Sequence, residues 1–265
     1  LKPTLLFKSN TMLNYDISGH GNEVLVLLHG FMENNTIWED MAPFLSGFKL
    51  LKIDLPGHGQ SSIPDTTEIL TMATMATEVK QVTDALGLTS FHLLGHSMGG
   101  YVSLAFAEQY PEYLKSLSLF FSTYFPDSEE KKVQRQKSFR IILESFQTYV
   151  KAGVPLLFNP NKREALKPKI DLAKKIALNT KPENALAAVK GMIERTDKRH
   201  ILEQLDIPIL IFAGIYDTAV NTEMTINHLP QKKNIQSYLL DCGHNGHWEA
   251  PEACAEILNS VLLEH

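Results

Sequence analysis

Between a strand-like run, Phe91 to Leu94, and a helical one, Tyr101 to Gln109, the chain reads Gly95-His96-Ser97-Met98-Gly99-Gly100. This junction constrains the fold more than any other stretch. In the pattern G-x-S-x-G the flanking glycines carry no Cβ, so the backbone can make a sharp strand-to-helix turn that holds Ser97 Oγ out into a cleft. The helix after Ser97 then points free backbone N–H groups at negative charge developing beside the hydroxyl. Ser97 is the candidate nucleophile.

Further strands and helices are needed to frame such a turn, and the sequence supplies them. Runs rich in Val, Ile, Leu and Phe read as strands at Thr4 to Lys8, Met12 to Ile17, Val24 to Leu28, Lys49 to Asp54, Phe91 to Leu94, Leu114 to Phe121, Pro208 to Phe212 and Ile235 to Leu240. The first two resemble an antiparallel hairpin around Ser9-Asn10. The inner runs are apolar on nearly every residue, as in a sheet covered on both faces. Helical patterns alternate with them at Thr36 to Leu45, Glu68 to Leu86 ending at Gly87, Tyr101 to Gln109 stopped by Pro111, and Pro251 to Leu262. This alternation predicts an α/β fold with a mostly parallel sheet and right-handed crossovers.

The rhythm breaks between about Ser122 and His200. There the sequence is helical without strands and is interrupted by Pro126, Pro155, Pro160, Pro168 and Pro182. A helical cap over residues 122–200 is expected, inserted in a core made of residues 1–121 and 201–262. Residues 263–265 read like the opening of an affinity-tag linker. Charge divides along the same line: Asp127 to His200 carries a formal +8 and the remainder −13. Lysines that solvate exposed helix faces account for such an excess, and so does a lid that steers anionic substrates. The count leaves both open.

At 265 residues the chain has room for one well-buried core with an insertion. A net charge of −5 argues against a nucleic-acid partner. Cys242 and Cys254 have neither metal-ligand spacing nor the pattern of a disulfide framework, which suits a reducing, cytoplasmic compartment. No run approaches the roughly eighteen apolar residues of a membrane span, and the start has no signal pattern. The oligomeric state is not legible.

A serine hydroxyl needs a base to take its proton, and the base needs an acid to fix its tautomer. Asp217 follows the strand-like Ile209 to Phe212 and the turn Ala213-Gly214-Ile215-Tyr216. His244 follows Tyr238-Leu239-Leu240-Asp241-Cys242-Gly243 in the same way. Parallel strands present their carboxyl ends on one edge, so both loops converge there with Ser97. His29-Gly30-Phe31 ends the first parallel strand, where the backbone N–H of Phe31 can form an oxyanion hole with that of Met98. Asp54-Leu55-Pro56-Gly57-His58-Gly59 reads as a structural turn, and His247 as support for the loop that carries His244.

Taken together, His29-Gly30-Phe31, Asp54 to Gly59, Gly95 to Gly100, Gly214 with Asp217, and Gly243-His244 followed by Glu249-Ala250-Pro251-Glu252 resemble a cap-bearing α/β-hydrolase over essentially the whole chain. That group includes esterases, lactonases, carbon–carbon bond hydrolases and related lyases. The resemblance implies Ser97 as nucleophile, His244 as general base and acid, Asp217 as orienting acid, and Phe31 and Met98 as oxyanion donors, with no cofactor or metal. Ser97 in place of Asp disfavours the alkyl-enzyme chemistry of similar dehalogenases and epoxide hydrolases. Tyr101 stands where similar menaquinone-pathway lyases carry Arg, Met98 where prolyl aminopeptidases carry Trp, and Trp248 where an aliphatic residue is usual. The expected function is hydrolysis of an ester-like bond in a small or medium acyl substrate. Carbon–carbon cleavage or a lyase reaction with the same triad is an alternative, as is a slow-turnover sensor or partner-binding protein.

Overall fold

The computed structural model describes residues 13–263. The strand at Thr4 to Lys8, the hairpin turn at Ser9-Asn10 and residues 264–265 of the tag-like end lie outside them. Seven strands form one sheet in the order β1-β3-β2-β4-β5-β6-β7. They are β1 (Tyr15–Ser18), β2 (Glu23–Leu28), β3 (Phe48–Ile53), β4 (Phe91–His96), β5 (Leu114–Phe120), β6 (Ile209–Gly214) and β7 (Ile235–Leu240). Strand β1 pairs antiparallel with β3, and every other pairing is parallel. The register sets His96 opposite Phe120, Phe120 opposite Phe212, and Gly214 opposite Leu240. The loops after β4, β6 and β7 therefore leave the sheet side by side at its carboxyl edge.

Every residue of β4 and β6 is buried, as continuous apolar runs require when helices cover both faces. Helices α1 (Met72–Ala85) and α2 (Met98–Gln109) pack against each other, and α10 (Pro251–Leu262) closes the chain. Three helical expectations shift. Thr36 to Leu45 forms two 3₁₀ turns, Asn35–Trp38 and Ala42–Phe44, because Pro43 lacks the N–H that a continuous helix would use there. Helix α1 starts at Met72, where Thr71 accepts from the Thr74 N–H at 3.1 Å, while Leu70 stays extended and donates to Ala187 O at 3.0 Å. Helix α2 starts at Met98 instead of Tyr101, directly behind Ser97.

Between β5 and β6 run α3 (Glu129–Glu144), α4 (Phe146–Gly153), α5 (Lys167–Leu178), α6 (Pro182–Ile193) and α7 (Arg199–Gln204). Part of the positive charge here bridges to acidic residues elsewhere: Lys162 pairs with Asp241, Lys169 with Asp40 and Lys198 with Glu108. Two short helices, α8 (Thr222–Asn227) and α9 (Gly246–Glu249), follow β6 and β7. Among the described residues, no helix is long and apolar enough to cross a membrane.

Candidate active site

Ser97 occupies the turn between β4 and α2 with φ 51° and ψ −114°, a left-handed conformation that costs a non-glycine residue of the order of 1–3 kcal/mol. Its neighbours explain how the turn fits. A Cβ on Gly95 would strike the Gly99 carbonyl, and one on Gly99 would strike the carbonyls of Leu28 and His29. The other non-glycine residues with positive φ among those described are Met32 at 58° and Phe121 at 48°. All three sit just beyond strands β2, β4 and β5. Strain is thus concentrated at one edge of the sheet.

Asp217 and His244 meet there. The His244 ring donates from Nδ1 to Asp217 Oδ2 at 2.7 Å, with the two side chains 3% and 1% exposed. Asp217 Oδ1 also accepts from the N–H groups of Ala219 and Val220 at 2.8 and 3.0 Å, so the carboxylate is fixed on both oxygens. Burial lowers the proton affinity of His244, but the charge and hydrogen bond of Asp217 outweigh it and hold the pKa above 6.5. With Nδ1 protonated, Nε2 is the basic atom. Ser97, His244, Phe31, Met32 and Tyr101 line one cavity of about 320 Å³. Among the described residues, the N–H groups of Phe31 and Met98 have no acceptor, as oxyanion donors require.

Behind this wall lies a buried ion pair that the sequence did not announce. Glu33 Oε2 accepts from the Gly30 N–H at 2.6 Å and from His96 Nδ1 at 2.8 Å, and His96 Nε2 donates to the His244 carbonyl at 3.0 Å. Both nitrogens of His96 face oxygen atoms, so the ring ties Glu33 to the His244 carbonyl. Burial pushes the Glu33 carboxyl up, but the His96 charge and hydrogen bond outweigh it and bring the pKa to about 2. The pair joins the Gly30 loop, the serine turn and the histidine loop. Glu33 and His96 are 63 positions apart, and no motif links them.

His247 is elsewhere. It is 0% exposed, packed against the rings of Trp38, His96, Phe120 and Trp248, and neither ring nitrogen has a partner among the described residues. Burial, then the His96 charge, hold its pKa well below 6.5. His58 lies in the turn after β3 with its pKa brought by burial to about 4. In that turn Asp54 accepts from Asn14 Nδ2, the Asn35 N–H and the Gln60 N–H at 2.8, 2.7 and 2.8 Å.

The loops that carry Asp217 and His244 are also gripped by the segment before α5. The His244 N–H donates to Leu157 O at 2.7 Å, Thr218 Oγ1 donates to Leu156 O at 2.9 Å, and Glu249 accepts from the N–H groups of Gly243 and Asn159. Trp248 stacks on Phe158 with centroids 6.0 Å apart and planes 6° from parallel. That contact accounts for a bulky residue at this place. At Tyr101 the guanidinium of Arg195 lies 3.9 Å from the ring centroid, but it is committed to Asp127 Oδ1 at 2.7 Å and to Met192 O at 2.9 Å. Among the described residues, no group of three or more His, Cys, Asp or Glu side chains is arranged to hold a metal ion.

A family model described as alpha/beta hydrolase fold matches residues 23–159. A thermophilic esterase from Thermogutta terrifontis, solved with malate bound, superposes with a TM-score of 0.86 at 29% identity, covering 95% of this chain and 93% of that one. A Bacillus subtilis (strain 168) protein assigned provisionally as a 2-succinyl-6-hydroxy-2,4-cyclohexadiene-1-carboxylate synthase is 26% identical over 93% of both chains. Lipase 3 of Moraxella sp. (strain TA144) is 28% identical over 92% of this chain and 78% of its own.

Proposed function

The chain belongs to the α/β-hydrolase family, and on that premise we propose that it is a serine hydrolase of ester-like bonds with small or medium acyl groups. One observation carries this: a strained serine at a helix start opens into the same cavity as a histidine held by a buried carboxylate. Ser97 Oγ attacks the carbonyl carbon while His244 Nε2 takes its proton. The carbonyl electrons move to oxygen, where the N–H groups of Phe31 and Met98 receive the charge. The intermediate collapses to an acyl-Ser97 ester as His244 returns the proton to the leaving alcohol. Water then repeats the sequence, releasing the acid and restoring Ser97. Asp217 keeps the His244 ring in the tautomer that both steps need.

The helical segment over residues 122–200 serves as the lid on a core of residues 1–121 and 201–262. A second reading, carbon–carbon cleavage or a lyase reaction with the same triad, is the one that the resemblance to cap-bearing relatives also implies, and a protein provisionally assigned as a synthase is among those similar to this chain. Tyr101 weighs against the lyase, because the guanidinium over it is already occupied. A panel of acyl esters of increasing length, together with covalent labelling by an organophosphonate, tests the proposal. Rapid turnover with label on Ser97 is expected. One sluggish turnover despite labelling points to a sensor.

A further inference from the structure

Asp127, just before α3, is buried and accepts from Arg135 Nε at 2.6 Å and from Arg195 Nη2 at 2.7 Å. One carboxylate between two guanidiniums leaves a surplus positive charge. One helical turn before Arg135, and on the same face of α3, stands Lys131. Both line the cavity that holds Ser97 and His244. Some lysines of these helices have carboxylate partners, as Lys132 has Glu129 and Lys174 has Asp171, and Lys131 differs from all the others in lining the cavity with Ser97 and His244. Lys131 Nζ has none among the described residues; burial, then the charge of Arg135, lowers its pKa, and Asp127 and Asp217 offset this only in part and through space. The carboxylate that also lines the cavity, Glu33, is already bound to His96 and the Gly30 N–H. A half-buried ammonium with no carboxylate in direct contact among the described residues is a costly arrangement that an anionic ligand can relieve.

We propose that Lys131, backed by Arg135, binds a carboxylate on the substrate, so that the cavity selects esters bearing a free acid, such as half-esters of dicarboxylic acids. This rests on Ser97 being the nucleophile. A carboxylate suits the site better than a phosphate does, because the Arg135 fork is engaged by Asp127 and a single ammonium point charge remains. Binding also acts on the base. Lys131 opposes protonation of His244 through space, and a bound carboxylate cancels that opposition and makes Nε2 a stronger base.

The test compares kcat/KM for the monoethyl esters of succinate, glutarate and adipate with ethyl butanoate, pentanoate and hexanoate, followed by proton release. At one chain length or more the acidic ester should be preferred, by roughly tenfold or more, as one charge-assisted contact allows. Lys131→Gln should lower that acidic-to-neutral ratio by about 10- to 100-fold, and Lys131→Arg should keep most of it. Lys132→Gln, at a half-buried neighbour whose ammonium is already paired with Glu129, should leave it in place. The proposal is overturned if neutral esters are hydrolysed as well as acidic ones at every length, or if Lys132→Gln lowers the ratio as much as Lys131→Gln. Either result leaves turnover dependent on Ser97. Failure of the nucleophile assignment looks different: Ser97→Ala would hydrolyse the esters at the wild-type rate. As a readout without turnover, adipate should slow phosphonate labelling of Ser97 more than hexanamide does, and should lose that advantage in Lys131→Gln.

Discussion

The two walls of the cavity handle charge in opposite ways. On the sheet-edge wall each charge has its counterpart: His244 faces Asp217, and His96 faces Glu33. On the α3 wall Asp127 is shared by two arginines and Lys131 is left over. A wall whose charges are balanced among themselves is prepared for chemistry whatever the substrate. A wall with an unbalanced charge is prepared for a particular partner. Substitutions on the first should therefore change the rate for every substrate, and substitutions on the second should change which substrate is favoured.

The largest effects belong to the sheet-edge wall. Ser97→Ala and His244→Ala should each cut turnover by roughly 10⁴ to 10⁶, for acidic and neutral esters alike, with folding intact. Asp217→Asn should cost on the order of 10⁴, because an amide at that place presents His244 with the wrong hydrogen-bonding partner. Steady-state kinetics on purified, folded variants checks all three. Near-normal rates in Ser97→Ala would remove this wall from the chemistry and end the contrast.

How much of this was legible in the sequence follows the same division. The sheet-edge wall is built from turns whose local requirements are written in the chain: Gly95 and Gly99 around Ser97, and Asp217 and His244 each beyond a late strand. Its deeper layer was not legible, since Glu33 and His96 become partners only through the packing of β2 beside β4. The α3 wall was visible only as a net charge. A count cannot tell Lys162, Lys169 and Lys198, which hold the helices to acidic residues outside them, from Lys131, which has no carboxylate partner among the described residues and lines the cavity. The misread helix at Thr36 to Leu45 has a similar origin: its apolar spacing is real, and Ile37 and Trp38 are buried, but 3₁₀ turns achieve that as well as an α-helix does.

Effects of intermediate size separate the layers. Glu33→Gln weakens the tie among the Gly30 loop, the serine turn and the histidine loop, and should lower kcat about 10- to 100-fold for both kinds of ester with little change in their ratio. His247→Ala, at a residue that does not line the cavity, should cost about tenfold through loop disorder. A large change in the acidic-to-neutral ratio in Glu33→Gln would mean that the two walls are not independent. The pH profile carries the same information. Because Asp217 holds the His244 pKa above 6.5, kcat/KM for a neutral ester should rise with pH along a limb lying above that value. A limb below 6.5 would assign the base elsewhere.

The smallest effect concerns stability, where the layer behind the sheet-edge wall holds buried neutral histidines. His247 and His58 are buried neutral, the former with its pKa well below 6.5 and the latter at about 4. Between those values and the unfolded-state value of about 6.5 the unfolded chain binds more protons than the folded one. Their contribution to stability is complete above about pH 6.5 and is lost as the pH falls below it, down to about 4 for His58, while that of Glu33 is lost only between 4.5 and about 2. The urea midpoint should therefore drop first in the histidine window. His247→Leu removes an imidazole with no hydrogen-bond partner among the described residues, so it should stay within about 1–2 kcal/mol of the wild type at neutral pH and flatten the slope below pH 6.5. An unchanged slope in that variant would mean that His247 keeps its proton in the folded protein, and the balance of charges on this wall would have to be redrawn around it.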